Sequence, residues 1–369
     1  MREHEGPITC GLNFTVYLDI DGVVWACGKN GNGALGVGDK DYRKNIERVH
    51  NLPMISKISS GQSHTLFLDT NGSVWSCGWN NFGQLGLGNE SSITTPERID
   101  SLPEICSITA SYNHSLFTTP EGVVWACGWN YFGQIGAGEV YNLSTPTVIK
   151  GLPDNISVAT GGFYHSIFIE SNGSVWVCGN NTHSQLGLVL PENADRNIKR
   201  VLKLNNIPPI IFACGGQYHT LLLDEEGKVW ACGSNISNRL GVPDLSGKEL
   251  ECVSEILSLP SMQTVAAGLA FSVALDCNGG VWCAGQVGED PGFAKQKFEL
   301  LDRLPPCQYI AAGHRHIIAL GIEQNVYEVD NNFYDSAHDK NSDPQIVQQV
   351  PTLRITTKTN TKSARKIFA

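Results

Sequence analysis

The sequence predicts an all-β fold, a seven-bladed β-propeller built of four-stranded antiparallel blades. Three observations carry this reading. A Val-Trp or Val-Tyr pair recurs at Trp25, Trp75, Trp125, Trp176, Trp230, Trp282 and Tyr327, at spacings of 50, 50, 51, 54, 52 and 45 residues. A steady period of that size marks a propeller or a solenoid. Each repeat holds four short apolar runs separated by Gly, Pro and Asn-Gly turns, and no window of about eleven residues carries a helical period.

The second repeat shows how each strand arises. Strand A is Pro53–Ser60, led in by a Leu-Pro that blocks a helix. A tight turn at Gly61-Gln62-Ser63 leads to strand B, His64–Asp69, and Asn71-Gly72 is a hairpin turn into strand C, Ser73–Gly78. A Gly-rich loop then precedes strand D, Pro96–Asp100. Strand B is apolar on both faces, with Leu66 and Leu68 on one and Phe67 on the other, as a sheet sandwiched between neighbouring blades requires.

Seven A-B-C units start near Ile8, Ile58, Ile108, Val158, Phe212, Val265 and Ile310. An open solenoid would need capping units with a polar outer face; a closed ring does not. Residues 1–358 are therefore expected to form one propeller, followed by a short basic tail, 359–369. Residues 351–358 repeat the strand A pattern and are expected to pair with the first blade and latch the ring. Blade 7 lacks the turn glycine and carries Glu323-Gln324-Asn325 instead.

Composition limits the function. Lys+Arg total 26 against 36 Asp+Glu, a net charge of −10, which argues against strong nucleic-acid binding, since that affinity rests on clustered cations. No run approaches the roughly 18 apolar residues of a membrane span, and no signal peptide is visible, so the expectation is a monomer in the cytoplasm or nucleus. Five of the twelve cysteines, Cys27, Cys77, Cys127, Cys178 and Cys232, share one repeat position. Equivalent positions in successive blades are too far apart to bridge, so free buried thiols are expected.

The pattern G-x-x-H-[ST], then G-x-V-[WY]-x-C-G-x-N-x-x-G-Q-L-G-x-G, is fullest at Gly61–Gly88 and Asn113–Gly138. It resembles the regulator of chromosome condensation repeat over about residues 6–357. The resemblance implies a seven-bladed propeller and a range of functions: nucleotide exchange on the small GTPase Ran, ubiquitin-ligase modules, a plant ultraviolet-B photoreceptor, a β-lactamase inhibitor. Blade 3 runs Gly133–Gly138 and on to Tyr141-Asn142 without the wedge insertion of the exchange factor. No turn carries the Trp of the photoreceptor.

No catalytic constellation emerges, so no enzyme chemistry, cofactor or metal is expected. His64, His114, His165, His219 and His316 recur once per blade, and equivalent atoms of different blades cannot converge within about 2 Å of one ion. Each is read as a structural group bonding its own turn. The carboxylates at the B–C turns, Asp19, Asp21, Asp69, Glu121, Glu170, Asp224, Glu225 and Glu226, read as turn-forming and solvating residues. Gly28–Gly33 lacks the Gly-Lys-[Ser/Thr] of a phosphate loop.

The informative positions are the two between the turn glycine and the His, which the fold leaves free. They read Leu12-Asn13, Gln62-Ser63, Tyr112-Asn113, Phe163-Tyr164, Gln217-Tyr218, Leu269-Ala270 and His314-Arg315. Tyr, Phe and Arg are the types that dominate interface hot spots. The C–D loops on the same side of the disc add Trp79, Phe82, Trp129, Tyr131 and Phe132. The predicted partner-binding set is Tyr112, Asn113, Phe163, Tyr164, Gln217, Tyr218, His314, Arg315, Trp79, Trp129 and Tyr131. The expected partner is a protein; the resemblance implies a Ran-like or Rab-like small GTPase, with guanine-nucleotide exchange as its outcome. The alternative is a non-catalytic scaffold or inhibitor using the same face.

Overall fold

The computed structural model describes residues 6–138, 141–245, 247–288 and 295–329. Within them lie seven antiparallel sheets, each a meander in A-B-C-D order. Six show four strands, and the seventh shows strands A to C at Cys307–Ala312, Ile317–Gly321 and Val326–Val329. Among the described residues the only helical elements are two short 3-10 turns, Ile236–Asn238 and Pro243–Leu245. The D-like stretch 344–349, the expected latch 351–358 and the tail 359–369 lie outside the described residues.

Blade 2 comprises Ile55–Ser60, His64–Asp69, Val74–Gly78 and Ile93–Arg98. Strand D thus begins three residues before the expected Pro96. The reason is register: Gly78 pairs with Ile93 and Trp75 with Arg98, so strand D covers strand C. Pro96 is tolerated within it because strand D is the outer edge, where a missing N–H breaks no ladder.

Seven apolar clusters among the described residues sit one at each blade boundary. Leu66 and Leu68 of blade 2 pack into blade 3 beside Phe117, whereas Phe67 packs into blade 1 beside Phe14 and Leu35. The two apolar faces of strand B are therefore two separate cores. Closure follows the same rule: Ile8, Cys10 and Tyr17 of blade 1 share a cluster with Ile318, Leu320 and Val326 of blade 7. The Tyr309 hydroxyl also donates to the Ile8 carbonyl at 3.1 Å. At the blade 7 turn that lacks glycine, Gln324 itself takes φ of 69°.

Four of the five recurring histidines do not bond their own turns through the imidazole, and for these four that expectation is corrected. His64, His114, His165 and His219 reach across the blade boundary to Ser115, Ser166, Thr220 and Ser272, at 3.0, 2.8, 2.8 and 3.0 Å. Each of those hydroxyls donates in turn to a C–D loop carbonyl of the histidine's own blade, that of Gln84, Gln134, Gln185 or Arg239. A hydroxyl spends its one hydrogen on that carbonyl, so it accepts from His Nε2–H. The recurring thiols Cys127, Cys178 and Cys232 lean on the Gln84, Gln134 and Gln185 carbonyls from the same side, at 3.5, 3.4 and 3.4 Å. All twelve cysteines are free.

Asp21, Glu121, Glu225 and Glu226 are exposed at their turns, as expected, but the other turn carboxylates need a second correction. Asp19, Asp69, Glu170, Asp224 and Asp276 are buried rather than solvating. Each accepts the indole N–H of its blade's Trp, as in Trp230 to Asp224 at 2.8 Å and Trp176 to Glu170 at 2.7 Å. The aspartates also accept two backbone N–H groups of the turn, for Asp224 those of Glu226 and Lys228. A carboxylate with three donors closes the hairpin from inside.

Candidate protein-binding face

The A–B turns meet near the ring axis, and a chain of backbone hydrogen bonds links them. Leu12 N donates to Gln62 O, Gln62 N to Tyr112 O, Phe163 N to Gly216 O, and Leu269 N to His314 O. The turn glycines permit this approach. A Cβ on Gly61 would stand 2.1 Å from the Ser111 carbonyl oxygen and 2.4 Å from His64 Cε1, inside any contact distance. The residues expected to be free of the fold are thus held by one another through their backbones, and their side chains differ.

The C–D loops are built from within by an asparagine. Asn80 Oδ1 accepts the Leu85 N–H at 2.9 Å while its Nδ2 donates to the Asn89 carbonyl. Asn130, Asn181 and Asn235 repeat the first bond with Ile135, Leu186 and Leu240. Rigid loops of this kind hold their aromatic side chains in place without help from a partner.

Those side chains form a connected row across blades 2 to 5. Trp79 meets Phe82 edge-on at 5.2 Å, and Phe82 stacks on Trp129 at 5.2 Å. Trp129 and Phe132 both contact Tyr164, at 5.9 and 5.2 Å. Tyr164 contacts Tyr218 at 5.5 Å, and Tyr218 contacts His183 at 4.5 Å. The outer end carries Tyr131 and Tyr141, 55% and 70% exposed and 6.1 Å apart. Such rings present a large, rigid contact area, the composition of interface hot spots.

A second branch runs to the axis. Tyr112 stacks on Phe163 at 4.1 Å and on His314, from the far side of the ring, at 5.3 Å. These three rings line one end of an axial cavity of about 580 Å³ walled by the inner strands. Gln62 Nε2 donates to the Tyr112 hydroxyl at 2.8 Å. Burial lowers the His314 pKa to about 3 and raises those of Tyr112 and Tyr218.

The predicted set is therefore split by depth. Tyr164, Tyr218, Trp79, Trp129 and Tyr131 are joined in the row, and Gln217 and Arg315 are half-buried. Phe163, His314 and Asn113 are buried, at 6%, 9% and 4% exposure. Sequence reasoning missed Tyr141, His183 and Arg239. Two of these were findable by alignment within the loop repeat: His183 stands where other loops have Phe82 and Phe132, and Arg239 where they have Gln84, Gln134 and Gln185. Among the described residues no group of three His, Cys, Asp or Glu side chains converges on a metal position. No helix among them is long and apolar enough to cross a membrane.

Comparison with known proteins agrees with this architecture. The mouse (Mus musculus) secretion-regulating guanine nucleotide exchange factor is 36% identical over 132 residues, covering 34% of this chain and 27% of that protein. The human (Homo sapiens) probable E3 ubiquitin-protein ligase HERC3 is 29% identical over 134 residues, covering 35% of this chain and 13% of its own length. The aligned stretch thus spans about a quarter or less of these relatives. The crystal structure of Prp20p from Saccharomyces cerevisiae, described with its binding properties to Gsp1p and histones, superposes with a TM-score of 0.75. It is 22% identical, covering 93% of this chain and 88% of that one. The family model of the RCC1-like domain matches residues 3–206, and that of the regulator of chromosome condensation (RCC1) repeat matches residues 210–238. The chain belongs to the RCC1-like domain family.

Proposed function

We propose that this propeller binds a protein partner through the aromatic face of blades 2 to 5, and that the partner is a Ran-like or Rab-like small GTPase whose guanine nucleotide it helps to release. The row from Trp79 through Trp129 and Tyr164 to Tyr218 carries the reading. These rings are fixed by the scaffold, so docking on them costs little ordering entropy. Exchange needs no covalent chemistry: loops that displace the switch and phosphate-binding regions favour the nucleotide-free state. The exchange-factor name of the mouse relative and the Gsp1p binding described for Prp20p lend support.

A second reading is a scaffold or inhibitor that covers its partner without accelerating release. One observation favours it: the C–D loop of blade 3 passes from Gly133–Gly138 to a strand starting at Asn142, leaving no room for a long wedge. Release of labelled GDP across a panel of small GTPases separates the two. Faster release that is lost in the Tyr164→Ala plus Tyr218→Ala variant supports exchange; binding without faster release supports the scaffold; neither binding nor release on any member refutes the GTPase reading.

A further inference from the structure

Arg239 is a buried cation with no acidic partner among the described residues. It is 5% exposed, its Nε donates to the Ile236 carbonyl at 2.8 Å and its Nη1 to the Leu269 carbonyl at 3.2 Å. The guanidinium carbon lies 6.0 Å from the Tyr218 ring centre. Burial lowers its pKa only to about 10, so it is charged at neutral pH.

The fold does not require this charge. At the same loop position blades 2, 3 and 4 carry the neutral Gln84, Gln134 and Gln185, and the carbonyl of each, like that of Arg239, accepts the hydroxyl of the next blade. A charge withdrawn from water without a counter-charge is destabilising, whereas a charge that gains its partner on binding recovers that loss. The surroundings leave room for such a partner. Beside Arg239 the blade 6 turn is Leu269-Ala270, small where blades 3, 4 and 5 present Tyr112, Phe163-Tyr164 and Tyr218. Past Tyr218 the aromatic row thus gives way to the Arg239 guanidinium and the smaller side chains of the blade 6 turn.

We propose that Arg239 anchors an acidic side chain of the protein partner, an Asp or Glu carboxylate seated against Tyr218 over the blade 6 turn. This rests on the protein-binding reading of the face. A single forked cation beside an aromatic ring suits one carboxylate. A nucleic-acid backbone would call for several cations along a track, and the chain carries a net charge of −10.

The probe is a displayed library of short random peptides selected on the wild-type protein, followed by affinity measurement of a selected peptide. Selected peptides are expected to share an Asp or Glu beside an apolar residue. Arg239→Gln, which installs the residue of three other blades, should weaken the peptide roughly tenfold to a hundredfold. Replacing the peptide's acid by its amide should weaken it equally, and combining both changes should weaken it no further. Arg239→Lys, which keeps the charge but not the fork, should lie between and serves if Arg239→Gln melts early. Peptides sharing no acid, or an acidic peptide bound equally by Arg239→Gln, would overturn the proposal. In either case, loss of binding in Tyr164→Ala plus Tyr218→Ala leaves the face itself supported, and binding unaffected by all variants refutes both.

Discussion

His114 Nε2 lies 2.8 Å from Ser166 Oγ in the next blade, and that hydroxyl donates at 2.6 Å to the carbonyl of Gln134. One serine thus ties together a strand B histidine and the loop that carries Tyr131 and Phe132. Phe takes the histidine's place twice: Phe14 of blade 1 still faces a blade with a hydroxyl there, Thr65, which donates to the Ala34 carbonyl at 2.7 Å, whereas at the boundary of blades 6 and 7 both members change. Phe271 of blade 6 faces Ile317 of blade 7, both fully buried in one apolar cluster. The His-hydroxyl pair and the Phe-Ile pair are alternative ways to fill the same boundary.

Ser166→Ala should therefore strand the His114 N–H and leave the Gln134 carbonyl only the Cys178 thiol, at a cost of about 1–3 kcal/mol. Adding His114→Phe should cost less than the sum of the two single changes, because the aromatic ring needs no acceptor. Urea unfolding of the two single variants and the double variant checks this; additive losses would contradict the coupling.

Acid sensitivity follows from the same histidines. Burial holds the pKa of His64, His114 and His165 at about 3 and that of His219 well below its ordinary value. In the unfolded chain these imidazoles take up protons near pH 6.5, so the native state loses stability as pH falls from about 6.5 toward 3. The slope reaches about 1.4 kcal/mol per pH unit for each imidazole. Glu170 behaves otherwise: the Trp176 N–H lowers its pKa, so its contribution fades only below about pH 4.5. Urea midpoints measured at about pH 7.5 and about pH 5.5 should fall with pH, and His165→Gln should flatten the trend. A flat wild-type profile would contradict burial of these groups as neutral imidazoles.

Two glycines in loops of similar appearance should respond differently to alanine. Gly61→Ala places a Cβ 2.1 Å from the Ser111 carbonyl oxygen, whereas a Cβ on Gly31 meets nothing within 4 Å. Gly61→Ala is expected to destabilise by about 3 kcal/mol or more, and Gly31→Ala to change the melting temperature little. Thermal melts of the two variants decide this.

The ring was legible because its period is carried by residues whose roles are local: Asn71-Gly72 makes its turn, and Leu66, Phe67 and Leu68 alternate between two cores. The inter-blade bonds were not legible. His64 and Ser115 are 51 positions apart, and only a closed ring brings one repeat's strand B against the next. For the face, the sequence located the variable turn positions but not their depth. Phe163 and Tyr164 are adjacent, yet Phe163 turns to the axis and stacks on Tyr112 while Tyr164 joins the outer row. Arg239 was hidden because its loop, Asn235–Gly241, departs from the Gly-Gln-Leu-Gly pattern of the repeat, although the substitution is what sets it apart.

The most direct test of the account is whether partner binding resides on this face. Recovery of interacting protein should be compared between wild type, Tyr164→Ala plus Tyr218→Ala, and a control on the opposite side of the disc. The control is Met54→Ser plus Ile322→Ser, two residues 61% exposed at the D–A and B–C connections. The account predicts that the tyrosine variant loses the partner while the control retains it, with both melting close to wild type. Equal recovery by the tyrosine variant, or loss confined to the control, would contradict it.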